Sequence, residues 1–318
     1  MSARYKDATV DLPKVFVSGK VGIVTVTFNS EAVLPEFFES LAAQSYNNFV
    51  LIAVDNASKD GTLSMLKENS SERRIVIANS TNRGVAEANN QGIRAAIELG
   101  CEYVMLLNND VVVDRDMLAR LVDGLSEHQC SMTSPMMYFH NPPDQIWAAG
   151  GGFRSRSGFR VYHRHAWEKD SPQSAREKRI DYTPTCCVLI QREVFVVIGL
   201  MDQRYFVYSD DVDFMFRARQ AGLVMFFIPD AKLWHKVNGL TGGAKSDFSY
   251  FYNARGRALF LYKHLNRASA FFWATLHTGF DLLRAAFRTE FRHPCSVKRR
   301  GMREGRQTAL KPLEEDGA

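Results

Sequence analysis

Between residues 21 and 127 the chain repeats one rhythm four times. The runs "VGIVTVTF", "FVLIAVD", "RIVIAN" and "YVMLLN" are short, apolar and rich in β-branched residues. Each is followed by a stretch with helical spacing, over residues 31–43, 62 to about 68, 85–99 and 116 to about 127. Strands that are apolar throughout have no water-facing side, so helices must cover both faces of their sheet. Short apolar strands alternating with amphipathic helices therefore predict an α/β fold around a parallel sheet. In such a sheet ligands bind beyond the carboxyl ends of the strands, which locates a site before any motif is considered. No internal repeat is visible.

The residues at those ends are polar. Strand one finishes in Thr27 and Asn29, strand two in Asp55, Asn56 and Ser58, and strand three at Asn79, ahead of Asn82, Arg83 and Gly84. Strand four finishes in Asn108, Asn109 and Asp110. Helix capping accounts for Ser30 and Asp60, since a cap needs one side chain. It does not account for Asp55 or for three adjacent polar residues, which point to ligand binding. Neither a G-x-G-x-x-G loop nor a G-x-x-x-x-G-K-[ST] loop follows any strand. A nucleotide here must be gripped by side chains, and a hard divalent cation on Asp110, beside Asn108 or Asn109, is the usual way to neutralise its diphosphate.

The second half is less regular. Residues 137–181 hold Gly, Pro, Arg and aromatics, as in "AAGGGFRSRSGFRVYHRHAW", and predict a hairpin or long surface loops. "YSDDVDF" crowds Asp210, Asp211 and Asp213 together, so at least one pKa should rise and a general base for a sugar hydroxyl becomes available. A helix N-terminus that welcomes acidic residues is the other reading, with Asp213 capping or packing. His235 in "LWHKV" directly follows an apolar strand, as a structural histidine or a metal ligand.

Composition bounds the partners. The net charge of +5 is uneven, with Arg and Lys concentrated in the last fifty or so residues. Five cysteines with no paired metal spacing favour a reducing compartment. "MSARYKDATVDLPK" lacks an apolar core, so no signal peptide is expected. "ASAFFWATLHTGF" is too short to cross a bilayer. The helix after Asn266 mixes aromatic and Leu residues with Arg284, Arg288, Arg292 and Lys298; it can lie in a membrane interface, pack on the rest of the chain or form a homodimer. Arg154, Arg156, Arg160 and Arg164 can guide an anionic lipid-linked acceptor or sit on a solvated hairpin. From about Pro294 the tail is expected to be disordered.

Taken together, "VTFNSE", "VDNASKDGT", "NRGVAEANNQGI", "LLNNDVVVD", "YSDDVDFMFRARQAG", "LWHKV" and "YNARGRALFLYKH" resemble, in order, the inverting family-two glycosyltransferases. Within that family the chain looks most like the bacterial rhamnosyltransferases that extend a polyprenyl-diphosphate-linked sugar. The resemblance implies a GT-A fold: a Rossmann-like mixed sheet with helices on both faces and a C-terminal helical extension. It divides the chain into an N-terminal extension (1–20), the transferase domain (21–264), an amphipathic helix (265–293) and the tail (294–318). Thr27, Asn29 and Asp55 would hold the donor's base and ribose, with Asn82, Arg83 and Asn90 completing the pocket. Asn109 and Asp110 match the family's metal-binding D-x-D element, with Asp110 and His235 as ligands to Mn²⁺ or Mg²⁺. Asp211 matches the catalytic base, with Asp210 in place of the usual Glu before it. Arg255 and Arg257 match a basic motif that approaches a diphosphate.

Three positions depart from the pattern: Asn108 for a first Asp, Gly256 for an Asn between the two arginines, and "TPTCC" for a Gly-containing acceptor segment. The implied activity is transfer of a sugar from a nucleotide donor to a glycan or lipid-linked acceptor in cell-surface polysaccharide synthesis. The best match is L-rhamnose from dTDP-rhamnose, with a UDP-hexose or UDP-galactofuranose as the alternative. The enzyme would be cytoplasmic, at the inner face of the bacterial plasma membrane. Two rivals from other classes remain. A nucleotidyltransferase would need a phosphate-gripping loop that "TFNSEAV" does not offer. A non-catalytic nucleotide- or nucleic-acid-binding protein would need a recognition signature, and no nucleic-acid partner is expected.

Overall fold

The computed structural model describes residues 18–68, 73–237 and 246–311. Most of the expected N-terminal extension and the last seven residues of the tail lie outside them. The first half alternates as its sequence predicts: β1 (Val21–Thr27), α1 (Leu34–Ala42), β2 (Phe49–Asp55), α2 (Thr62–Glu68), β3 (Arg74–Ala78), α3 (Val85–Glu98) and β4 (Tyr103–Leu107). Next come β5 (Val111–Val113), α4 (Met117–Glu127), β6 (Met132–Phe139), β7 (Ile146–Ala148), β8 (Gly151–Arg154), β9 (Arg160–His163), β10 (Lys178–Ile180) and β11 (Cys187–Gln191). The chain ends with α5 (Glu193–Ile198), α6 (Asp210–Gln220), β12 (Met225–His235), α7 (Asp247–His264), α8 (Arg267–Phe287) and α9 (Arg292–Ala309).

The main sheet runs β10-β12-β6-β11-β4-β1-β2-β3, and β8 with β9 forms the hairpin expected in the Gly- and Arg-rich stretch. Strands β1 to β4 are parallel and the order reverses between β1 and β4, the switch point at which α/β sheets open a crevice. Successive strand residues serve opposite faces. Val24 belongs to the same core layer as Ile93 of α3 and Phe214 of α6, whereas Ile23 belongs to the other, with Phe37 of α1, Leu66 of α2 and Leu121 of α4.

The sheet is mixed, not purely parallel as strand rhythm alone predicts. β11 lies antiparallel between β4 and β6, with Cys187 opposite Leu107. The chain returns from its excursion at the carboxyl edge and enters β11 from there, a reversal that requires no crossover helix. The residues just before β11 are thereby delivered to the site edge.

The tail differs from expectation. Residues 292–309 form α9, packed along α7, where disorder is expected from about Pro294. The contact uses glycine where an apolar face is normally sought: a Cβ on Gly301 would lie 2.3 Å from the Phe251 carbonyl oxygen, and one on Gly305 2.1 Å from that of Arg255. Two bare backbone positions one turn apart let the helices touch, while Arg299, Arg300, Arg303 and Arg306 stay exposed. α8 buries Ala270 and Ala285, and its Phe271, Phe272, Leu276, Phe280, Leu283 and Phe287 remain exposed. No helix among the described residues is long and apolar enough to cross a membrane.

Candidate active site

The register of the parallel strands sets the first part of the site. Thr27 pairs with Asp55, and Asp55 with Ala78, so the strand ends lie level. The buried Thr27 hydroxyl donates to Asp55 Oδ1 at 3.1 Å, and Ser58 donates its hydroxyl to the same oxygen at 2.5 Å and its amide to Oδ2 at 3.1 Å. Asp55 is thus fixed, with lone-pair capacity left on Oδ2. Asn29, in the left-handed region at φ 50°, accepts the Lys59 amide on Oδ1. Asn56 donates to Asn82 at 2.9 Å and accepts the Arg83 amide at 2.9 Å, leaving the Arg83 side chain exposed. Asp60 caps α2 by accepting the Thr62 amide, as expected. Ser30 does not cap α1: its hydroxyl accepts from the Phe28 amide and from Asn109.

At the tip of β4 the three polar residues separate into three roles. Asn109 is buried, and its amide ties β4 to β1 by donating to the Val26 carbonyl at 2.7 Å. Asp110 turns the other way. β5 pairs with β12 so that Val111 faces His235, and the Lys236 amide donates to the Asp110 carbonyl. His235 Nε2 then sits 3.1 Å from Asp110 Oδ1. Asn108 is exposed and hydrogen-bonds the Asp110 carboxylate.

Burial opposes the charge on Asp110, but His235 and Asn108 overcome it and the carboxyl lies below its ordinary range. Burial likewise lowers the basicity of His235, yet Cys186 and Asp110 raise its pKa to about 10. Its Nδ1 is buried without a hydrogen-bond partner. Once a cation displaces the proton between His235 and Asp110, one carboxylate, one imidazole and a neighbouring amide oxygen would form a donor set that suits Mn²⁺ or Mg²⁺. The three-residue cluster Glu127, His128 and Glu177 lies elsewhere. His128 stacks on Phe226, at the opposite end of β12 from His235; measured along the paired β6, from Thr133 to Phe139, that is roughly 20 Å at about 3.3 Å per residue.

The third part is the first turn of α6. Tyr208 and Ser209 precede it, both in the left-handed region at φ 62° and 65°. Strain of this kind in two successive residues with side chains accumulates at functional sites. α7 makes room for it, since a Cβ on Gly256 would lie 2.8 Å from Ser209 Oγ. Asp211 accepts from the Tyr182 hydroxyl at 2.6 Å and from the Val212 amide at 2.8 Å. Asp210 is buried beside it. Burial and the charge of Asp211 push Asp210 well above the ordinary carboxylate range, and burial raises Asp211 against the pull of its two donors. Asp213 moves the opposite way. Arg217, Lys263 and His264 contact it at 2.8, 2.7 and 2.7 Å, and together they overcome burial and hold its pKa down. It is a packed ion pair, as one reading of the sequence expected.

The metal-suited pair and the raised pair are joined through side chains. His235 meets Trp147 edge-on at 4.4 Å, Trp147 lies 6.2 Å from His163, His163 lies 5.5 Å from Tyr182, and Tyr182 holds Asp211. Asp110 and Asp211 are thus the two ends of one continuous run of side-chain contacts. The Glycosyl transferase family 2 model matches residues 22–199, more than half of the chain. The chain is a member of glycosyl transferase family 2. It is similar to an N-acetylglucosaminyl-diphospho-decaprenol L-rhamnosyltransferase of Mycobacterium tuberculosis (strain ATCC 25618 / H37Rv), 23% identical over 315 residues that cover 92% of this chain and 97% of that protein. It is also similar to the dTDP-rhamnosyl transferase RfbF of Shigella flexneri, 22% identical over 258 residues, 78% of this chain and 82% of that one. Among solved structures it resembles GalNAc-T7 with UDP, GalNAc and Mn²⁺ at a TM-score of 0.59 and 16% identity, over 76% of this chain and 48% of that one. It resembles the mannosyltransferase PcManGT from Pyrobaculum calidifontis, in complex with GDP-Man and Mn²⁺, at 0.55 and 16%, over 94% and 89%. The fold is GT-A.

Within this family-2 glycosyltransferase some expected positions serve other ends. Asn90, expected to complete a nucleotide pocket, instead has both ends of its buried amide bound to the Met201 backbone at 2.8 and 2.9 Å. Thr27 is fully buried and braces Asp55 without facing the pocket. Arg255, expected to approach a diphosphate, donates to Glu304 and to the Arg204 carbonyl, fastening α9. Arg257 does face a cavity, described below. Tyr182, Trp147 and His163 were not legible as site residues. The only signal for them was the aromatic content of a stretch whose path through the fold depends on β11.

Proposed function

We propose that this glycosyltransferase moves L-rhamnose from dTDP-rhamnose, with inversion at the anomeric carbon, onto a polyprenyl-diphosphate-linked sugar at the inner face of the plasma membrane. The names of the two rhamnosyltransferase relatives support the donor and acceptor classes. The observation that carries the chemistry is the state of Asp211: a carboxylate held by Tyr182 and Val212, and linked through His163 and Trp147 to His235 and Asp110.

Asp55 accepts the imide N–H of the base, and Asn29, Asn82 and Arg83 line the same edge. Of the adjacent pair, Asp210 retains the shared proton at neutral pH, because both accept backbone amides but Asp211 also accepts the Tyr182 hydroxyl, which favours its charged form. Asp211 takes the proton of the acceptor hydroxyl as its oxygen bonds to the anomeric carbon. The bond from that carbon to the diphosphate breaks on the opposite side, and its electron pair leaves with the nucleoside diphosphate. Asp110 and His235 would hold Mn²⁺ or Mg²⁺, which when bound stabilises charge on the leaving diphosphate.

The test is a thermal-shift series with dTDP-rhamnose, UDP-galactofuranose and UDP-hexoses, each with Mn²⁺ or Mg²⁺, followed by product analysis. Ligand linkage should raise Tm most for dTDP-rhamnose. Transfer should then release nucleoside diphosphate. Pyrophosphate among the products, or a larger shift with a UDP-sugar, overturns the reaction or the donor respectively.

A further inference from the structure

A concavity opens beside the first turn of α6. It is a cavity of about 700 Å³ between hairpin β8–β9 and helices α6, α7, α8 and α9. That size holds a ligand of several dozen atoms. Five cationic side chains, Arg160, Arg257, Arg284, Lys298 and Arg299, line it against one carboxylate, Asp281. Asp281 is already paired with Lys298 at 2.9 Å. No carboxylate among the described residues pairs with the four arginines. Arg257 donates to the carbonyls of Ser157 and Gly158, and its buried Nε has no partner. Burial and the nearby Arg160 lower its pKa to about 10, and burial, Arg257 and Arg160 lower that of His277 to about 4. Positive potential accumulates here without compensation, which is how a protein prepares to receive a multivalent anion.

Two neighbours narrow the anion. On one side the cavity wall includes Ser209 and Val212, the residues that bracket Asp210 and Asp211. On the other it includes Leu276 and Phe280 of α8, which are 44% and 62% exposed and continue into the apolar face of Phe272, Leu283 and Phe287. A ligand that satisfies both must be an anion with a long apolar tail, and it must present a hydroxyl near Asp211. Resting on the proposed lipid-linked acceptor, we infer that this cavity binds the diphosphate of a prenyl-diphosphate sugar while its prenyl chain runs out along the exposed face of α8. Arg160 and Arg284 grip the diphosphate near the mouth and Arg257 at the base.

The test uses the full chain and titration calorimetry with farnesyl diphosphate, farnesol, inorganic pyrophosphate and dTDP. Farnesyl diphosphate should bind more tightly than either of its parts. The double variant Arg160→Gln/Arg284→Gln changes two exposed side chains and should weaken it roughly a hundredfold, since each lost charge-assisted contact weakens binding by about tenfold. dTDP affinity should be unchanged. Equal farnesyl diphosphate affinity in wild type and variant overturns the inference. So does an equal loss of dTDP affinity, which would place the donor's diphosphate in this cavity. Full displacement by phosphatidylglycerol vesicles also overturns it, making the surface a general anionic-membrane contact. Farnesyl diphosphate binding that responds to the variant, in a protein that turns over no nucleotide sugar, would sink the proposed reaction and leave this site standing.

Discussion

The edge formed by β1 to β4 and the edge formed by α6 with the β8–β9 hairpin are built by opposite means. In the first, polar groups satisfy one another: Asp55 with Thr27 and Ser58, Asn56 with Asn82 and the Arg83 amide, Asn109 with β1. In the second, a buried Asp210 lies beside a half-buried Asp211 with no ion-pair partner for either among the described residues, behind two strained residues, while Asp213 nearby contacts Arg217, Lys263 and His264. A satisfied network fixes shape, and an unsatisfied pair stores chemistry. The difference teaches where the cost of function is placed. An edge that binds a nucleotide can be rigid at little expense, but one that is to supply a base must stay hungry for a proton.

If the α6 edge carries the reaction, breaking it should cost most. Asp211→Asn keeps the shape and removes the base, so kcat should fall by roughly 10² to 10⁴, the usual contribution of a positioned general base. Donor affinity and Tm should hold. A variant that still transfers sugar at near wild-type rate would reassign the base. Next in size is Asp110→Ala, with an expected loss of about 10² to 10³ in kcat/KM, typical of removing charge stabilisation from a leaving group. Mn²⁺ titration should show weakened metal dependence in that variant, and unaltered metal response would remove Asp110 from the site. Asp55→Ala probes the other edge. Donor Kd should rise about tenfold or more, since a buried charge-assisted hydrogen bond is lost, with little change in kcat at saturating donor. A fall in kcat of the same size would mean that the two edges are not separable.

The same contrast explains what the sequence disclosed. Thr27, Asp55, Asn82 and Asp110 follow a repeated strand–helix rhythm, and parallel register alone brings their strand ends level. Their edge was legible because local pattern and global geometry agree there. Asp210 and Asp211 were legible by crowding. Tyr182 was not, because its place depends on β11 entering the sheet backwards, a fact that periodicity does not encode. Asn90 and Arg255 were assigned by motif and lie elsewhere, since side-chain direction on a helix is settled by what packs against it: the Met201 backbone in one case and α9 in the other. α9 itself was hidden because a glycine stripe leaves no apolar signature.

A smaller effect tests whether Tyr182 positions the base. Tyr182→Phe removes the hydroxyl that favours charged Asp211, so the acid limb of the rate–pH profile should move to higher pH, and kcat at neutral pH should fall severalfold. Rate loss without displacement of the limb would make Tyr182 a packing residue.

The smallest effect is on stability, and its sign separates the two edges most cleanly. The native pKa of Asp210 is raised by burial and by Asp211. The folded protein therefore binds a proton there that the unfolded chain has released, and this group's contribution to stability falls as pH rises from the ordinary carboxylate range through the raised pKa. Asp210→Asn removes that penalty. It should be more stable than wild type by on the order of 1 kcal/mol, with the advantage small at pH 5 and larger at pH 9. Asp213→Asn should do the reverse, because a carboxylate whose native pKa is depressed contributes stability above the unfolded pKa and loses it only in acid. Denaturant midpoints for the two variants across that pH range should diverge. Parallel curves would mean that Asp210 and Asp213 share one environment, and the division of labour along the first turn of α6 would fall with them.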